Sequence, residues 1–468
     1  MKYVSTRGAA PALGFGDVLL SGLATDGGLY LPDSWPELPP LDELRGLTYP
    51  EVATRVMWPF VEGEIDASDF ERIVAETYSV FDTPEVCPVV PLGETAAGAP
   101  LWLLELFRGP TLAFKDVALQ LVGRLFDHVL TARGERICIL GATSGDTGSA
   151  AIEACRDRSH LDIFVLFPDG RVSAVQRRQM TTVPSPNVHA VAVAGTFDDC
   201  QDLVKAAFAD AAFRDEVRLS AVNSINWARV MAQVVYYVTA HLAVAPDGGP
   251  VSFVVPTGNF GNIFAGWAAK RMGLPVDRLV VASNRNDVLT RFFTTGTMEI
   301  REVVPTTSPS MDIQVSSNLE RLLFEVLDRD GAAVASLMSR FREDGTVSVE
   351  AAILERLRDE FDCGRVDDES AAEVIRRTHG RRGMLLDPHT AVGVGIAEGL
   401  EGDPSVPVVS LATAHPAKFP DAVEAATGVR PELPPHLADL FEREERIERV
   451  PADLAAVESL VRSRIATA

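Results

Sequence analysis

From Ile137 onward the chain alternates short β-rich runs with helical patterns, and this alternation restricts the fold more than any other feature. ICIL (137–140) precedes a helical stretch over 148–154, DIFVLF (162–167) one over 173–180, VHAVAVA (188–194) one over 198–209, and VRLSAV (217–222) one over 226–242. VSFVV (251–255), a helix over 262–272 and RLVVAS (278–283) continue the series. Strands spaced by helices cannot pair as tight hairpins, so they predict βαβ units on parallel sheets. In open sheets of this kind ligands sit beyond the carboxyl ends of the strands, which directs attention to the turns after ICIL and VSFVV.

The flanking regions read differently. Residues 1–92, with the Pro-rich LPDSWPELPPLDEL between two helical stretches, predict an N-terminal accessory domain. Residues 318–382 (LERLLFEVLDRD, VEAAILERLRDEF, DESAAEVIRR) are charged and helical in pattern, and predict an insertion of solvated amphipathic helices. The stretch 431–468 is acidic and then helical, and predicts an extension packed on the outside.

Charge excludes some partners. Lys and Arg number 43 against 66 Asp and Glu, a net −23, which disfavours a phosphate-backbone partner. The five cysteines are odd in number and never at CxxC spacing, and the eight histidines form no ligand spacing, so neither a disulfide framework nor a metal site is predicted. No apolar run follows the basic residues at the start, and the longest uncharged stretch, 230–245, is too short and too polar to span a bilayer. The chain is expected in the cytoplasm, with no membrane partner, as a monomer or homodimer.

Four segments carry chemistry. Gly109–Asp116 (GPTLAFKD) runs into an amphipathic helix and sets Lys115 in its first turn. The positive end of the helix dipole and partial burial both disfavour an ammonium there, and a neutral amine is what Schiff-base chemistry needs. A solvated lysine at a helix start is the plainer alternative. The loop GATSGDTGS (141–149) lies between a strand and a helix, and its glycines, hydroxyls and free helix amides form a nest for a carboxylate or phosphate. PTGNFGN (256–262) repeats that arrangement, Gly258 and Gly261 freeing the turn and Asn259 and Asn262 adding donors; a tight turn with an Asn cap would look the same. ATAHPAKF (412–419) follows VPVVSLA and puts Thr413 at a strand end, in reach of a ligand ring.

Taken together and in this order, GPTLAFKD, GATSGDTG, PTGNFGN and ATAHPAKF resemble the threonine synthases, pyridoxal-phosphate (PLP) enzymes of the tryptophan synthase β-like fold. KYVSTRG (2–8), DGGLY (26–30), VNSINWAR (222–229), ASNRN (282–286) and SPSMDI (308–313) extend the likeness over residues 1 to about 425, to the longer form with an N-terminal domain. The resemblance implies an α/β protein of fold type II: two parallel-sheet domains, a large PLP-binding one over 93–130 and 230–430 and a small one over 131–229, plus the accessory domain and the helical insertion.

It further implies that Lys115 forms the Schiff base, that Gly258, Asn259, Phe260, Gly261 and Asn262 hold the cofactor phosphate, and that Thr413 bonds the pyridine nitrogen. Some relatives have Asp where this chain has Asn262, which adds a donor and removes a charge. Thr143, Ser144, Asp146 and Thr147 match the loop for the substrate α-carboxylate, while Asn226, Arg229 and Ser310 lie in matching motifs near the site. The implied reaction makes L-threonine and phosphate from O-phospho-L-homoserine and water. A lyase or a hydroxy-amino-acid dehydratase sharing the same cofactor machinery, and a non-catalytic PLP-binding protein, are the alternatives.

Overall fold

The computed structural model describes residues 1–465. Two sheets organise it. The larger has six strands in the order 361–365, 276–283, 251–256, 408–412, 100–105 and 89–94; the first five run parallel and the last antiparallel to its neighbour. The smaller has five, all paired in parallel, in the order 448–451, 188–194, 161–168, 137–142 and 219–220. The central strands read as unbroken apolar runs because helices cover both faces: Leu161–Pro168 and Val251–Pro256 are buried along their whole lengths.

Two long helices join the halves. Lys115–Arg133 begins at the site and ends at Gly134, whose left-handed φ of 64° lets its N–H return to Leu130 and Thr131 carbonyls. Trp227–Val244 is capped by the Asn226 side chain, which accepts from Ala228 N–H. Both are buried over most of their length, and the N-terminal helices Tyr49–Val61 and Ala67–Tyr78 pack over them through Val56, Phe60, Phe70 and Val74.

Three expectations need correction at the level of elements. The insertion 318–382 is not wholly helical: Thr346–Ser348 and Phe361–Arg365 are strands, and the second forms the edge of the large sheet beside 276–283. Its five-residue β pattern is too short and too polar to stand out between two amphipathic helices. The stretch 431–468 does more than cover the outside. Glu448–Pro451 extends the small sheet, and the helix Leu454–Arg464 buries Val457 and Val461 against Leu203 and Phe213. VRLSAV shrinks to the strand Leu219–Ser220, because the helix Ala211–Val217, capped by Asp210, claims its first residue.

Candidate active site

The carboxyl ends of the strands of both sheets converge on one pocket. It is lined by Phe114, Lys115, Asp146, Thr147, Ser224, Arg229, Gln233, the whole 256–262 loop, Ser310, Met311, His389, Thr413 and Ala414. Lys115 opens its helix in the pocket wall, 8 % exposed, with Nζ 4.8 Å from the centre of the Phe114 ring. The turn before it is braced by Asp116, which accepts from Thr111 N–H (2.8 Å) and Thr111 Oγ1 (2.7 Å). Burial pushes the Asp116 carboxyl up to about 6.

Lys115 Nζ lies 3.5 Å from Asp146 Oδ2, and the other carboxylate oxygen of Asp146 is 3.0 Å from Nζ of Lys418, a lysine with no exposed surface. Gln176 donates to Asp146 Oδ1 at 2.9 Å and Ser310 Oγ to Oδ2 at 3.5 Å. Burial alone would raise the Asp146 carboxyl, but Lys418, then Lys115 and His389, with the Gln176 hydrogen bond, outweigh it and hold the group well below the usual carboxylate range. Burial lowers Lys115 from the ordinary ammonium value; Asp146 opposes this, while Lys418 and Arg229 reinforce it.

The 256–262 loop is shaped for an anion. Phe260 takes a left-handed φ of 62° immediately before the helix Gly261–Arg271, a turn that aims successive amides at one point. Such a backbone is costly for a bulky residue, and the Phe260 ring is held by packing on Phe293 and Phe361. Asn262 Oδ1 accepts from Tyr236 (2.5 Å) and Tyr237 (2.9 Å) hydroxyls, which orients the amide and leaves its buried Nδ2 without a partner. Arg229 Nη1 is likewise buried and unpaired, and burial pushes that guanidinium down to about 10. Two orphaned donors in one pocket call for an acceptor the protein does not supply. Together with a recessed lysine, they fit a phosphorylated aldehyde such as PLP. Lys115 and Lys418 share one carboxylate while Arg229 adds a further positive charge to the lining, so the pocket suits anions despite the acidic chain.

The structure brings Lys115, Gly258, Asn259, Phe260, Gly261, Asn262, Thr413, Asp146, Thr147, Arg229 and Ser310 into this lining. Three expected residues stand outside it. Thr143 is buried behind the loop, its Oγ1 accepting from Gly145 and Gly148 N–H; Ser144 is exposed; and Asn226 caps its helix while donating to Leu19 O at 2.8 Å. Caps and motif neighbours share residue types with ligand contacts, so a motif match alone does not separate them.

Sequence reasoning missed Lys418 and His389. Lys418 sat unassigned inside ATAHPAKF, and only the fold shows it buried on Asp146. His389 follows the helix cap Asp387, to which its Nδ1 is bonded at 2.8 Å, while its Nε2 accepts from Ser310 N–H at 3.2 Å. Asp-Pro-His announces a helix start and carries no signal of what the imidazole meets. Thr413 is tied through its backbone, its N–H to Thr390 Oγ1 and its carbonyl from Phe114 N–H.

Comparison with known proteins bears on this geometry. Family models match three consecutive parts of the chain: threonine synthase N terminus over residues 2–78, pyridoxal-phosphate dependent enzyme over 80–340, and threonine synthase, C-terminal, over 390–461. The threonine synthase of Pseudomonas aeruginosa is 55 % identical over 465 residues, covering 98 % of both chains. The chain belongs to the threonine synthase family. Among solved structures, PLP-bound threonine synthase from Brucella melitensis superposes with a TM-score of 0.96 at 55 % identity, covering 99 % of both chains. Threonine synthase from yeast superposes at 0.94 with 39 % identity, over 99 % of this chain and 98 % of that one. As a threonine synthase family member the chain is a PLP-dependent α/β enzyme.

Proposed function

We propose that this chain converts O-phospho-L-homoserine and water to L-threonine and inorganic phosphate, using PLP. The observation that carries this reading is a pocket that holds the recessed Lys115, the 256–262 loop and two unpaired donors, Asn262 Nδ2 and Arg229 Nη1, in a chain that matches threonine synthases over 98 % of its length. Bound PLP supplies an electron sink for carbanions at the substrate α-carbon.

The rest falls to the protein's own side chains. Gly258, Asn259, Phe260, Gly261 and Asn262 would cradle the cofactor phosphate with helix amides and Asn262 Nδ2. Thr413, fixed by both backbone groups, would offer a hydroxyl to the ring nitrogen, and a hydroxyl partner leaves that nitrogen mostly unprotonated. Lys115 Nζ, uncharged, would carry protons at the substrate α- and β-carbons, since one amine beside both can serve several transfers. Thr147 and the first amides of the helix Asp146–Cys155 suit the α-carboxylate. The Asp146 side chain does not, because a carboxylate repels another; its partners are the two lysines. Arg229, which lines the pocket with an unpaired Nη1, would be a cation for the substrate phosphate. Ser310 bridges the two sides through His389 and Asp146.

No described helix is long and apolar enough to cross a membrane, and five unpaired cysteines agree with a reducing cytoplasm as the place of action. Purified protein given PLP and O-phospho-L-homoserine should release threonine and phosphate in equal amounts. Formation of 2-oxobutanoate instead would favour a dehydratase. Lys115→Ala should leave no borohydride-reducible adduct and almost no turnover; a Lys115→Ala variant making threonine at the normal rate would refute the assignment.

A further inference from the structure

Nothing in the proposed reaction requires Lys418, yet it is a lysine with no exposed surface, seated behind the pocket, and such a group is not retained for packing alone. Its Nζ donates to Thr111 O at 2.6 Å, in the turn leading to Lys115, and contacts Asp146 at 3.0 Å. Asp146 belongs to the first turn of a helix on the small sheet's side, whereas both lysines belong to the large-sheet side. One carboxylate therefore serves two lysines across the cleft.

We propose that Lys418 is a positioning residue which occupies the Asp146 carboxylate, so that Lys115 is left without a full counter-ion and releases its proton to become a nucleophile. The inference rests on reading Lys115 as the Schiff-base lysine. With both lysines charged, Asp146 offsets only one of them, and Arg229 adds further positive charge with no carboxylate partner. With Lys115 neutral, Asp146 and Lys418 balance. Other ionisable groups around the cluster are His389, which faces Asp146 from the helix Pro388–Glu398 with Asp387 bonded to its ring, Asp116, beside Lys115 and influenced by Lys418, and His415, also influenced by Lys418. None of them provides Lys115 with a second anion at salt-bridge distance. The consequence is for cofactor capture: with its ammonium proton already released to solvent, Nζ would be free to condense with the aldehyde of PLP, with loss of one water.

The test measures the rate of PLP capture by the full-length chain against pH, trapping the Lys115 adduct with borohydride and quantifying the modified peptide by mass spectrometry. Lys418→Met gives Asp146 wholly to Lys115 and should move the midpoint of capture up by about one pH unit. Asp146→Asn removes the anion and should move it down. The double variant should fall between the two, and Lys418→Arg, which keeps the charge, should stay near wild type. A role in packing alone would not produce shifts of opposite sign. An unmoved midpoint in Lys418→Met, or shifts of the same sign in the two single variants, overturns the inference. If Lys418→Met does not fold, Lys418→Gln, which also removes the charge, takes its place with the same upward shift expected and the same refuting outcome. Wild-type protein that forms no adduct at any pH would instead refute the assignment of Lys115, a different failure from adducts with unmoved midpoints.

Discussion

Replacing Gly258 with Ala probes how closely the cofactor loop is enclosed. A methyl at this position would lie 2.8 Å from Ser310 O and 3.4 Å from Met311 Cα, both backbone atoms. The turn that carries them cannot swing aside freely, because Ser310 N–H is bonded to His389 and Ser310 Oγ reaches Asp146. The loop is equally held, with Gly258 O accepting from Ser316 Oγ at 2.7 Å and Asn259 O accepting from Asn318 N–H at 3.1 Å and Asn318 Nδ2 at 2.9 Å. Overpacking of this kind costs about 1–3 kcal/mol. If the loop yields, that strain is felt where the phosphate binds, and PLP affinity should fall between about 5-fold and about 150-fold. Gly261→Ala is the milder comparison: its nearest neighbour, Asn318 Nδ2, is farther away at 3.2 Å and need shift only by a few tenths of an ångström against its bonds to Asn259 O and Ser224 O, so the loss should be smaller than for Gly258→Ala. Spectrophotometric titration with PLP measures both, and thermal unfolding without PLP separates loop strain from a general loss of stability. Gly258→Ala binding PLP as tightly as wild type, or more tightly than Gly261→Ala, would show that the turn is not the barrier the contacts imply.

His389→Gln keeps an acceptor near Nε2 for Ser310 N–H and should hold the KM for O-phospho-L-homoserine within about 3-fold, whereas His389→Leu strands a partly buried donor, at about 1–3 kcal/mol, and should raise it about 5-fold or more; steady-state kinetics decides, and equal effects would argue against that bond. His415, whose Nδ1 accepts from Ala417 N–H, is pushed down to about 4 by burial and then by Arg108. Its folded form binds fewer protons than the unfolded chain, so the stability it contributes is present above pH about 6.5 and is lost as pH falls toward 4, an effect of up to about 3 kcal/mol. His415→Gln should flatten that part of a urea-midpoint profile against pH, and an unchanged profile would count against it. Val461→Asp puts a carboxylate into the fully buried contact of the last helix with the small domain and should lower the thermal midpoint markedly, while Arg464→Ala at the exposed end should change it little.

Much of the site was legible locally. A lysine in a helix's first turn, a glycine-asparagine turn after a strand and a threonine at a strand end are short-range patterns, and each has its own chemistry. The alternation of strand and helix likewise predicts parallel sheets, because a connection of that length has one economical way to return. The limits are just as physical. The edge strands Phe361–Arg365 and Glu448–Pro451 have little apolar signal, since an edge is half solvated and takes its pairing from a neighbour distant in sequence.

From the order of its residues alone this chain determines its βαβ elements, its family and the lysine that opens the pocket. Tertiary structure decides the environment of that lysine. Asp146 meets Lys115 and Lys418 only when the elements of the two sheets close on one another. Burial and charge sharing depend on distance in space, so whether a lysine is an exposed cation or a neutral nucleophile is settled by neighbours hundreds of residues away.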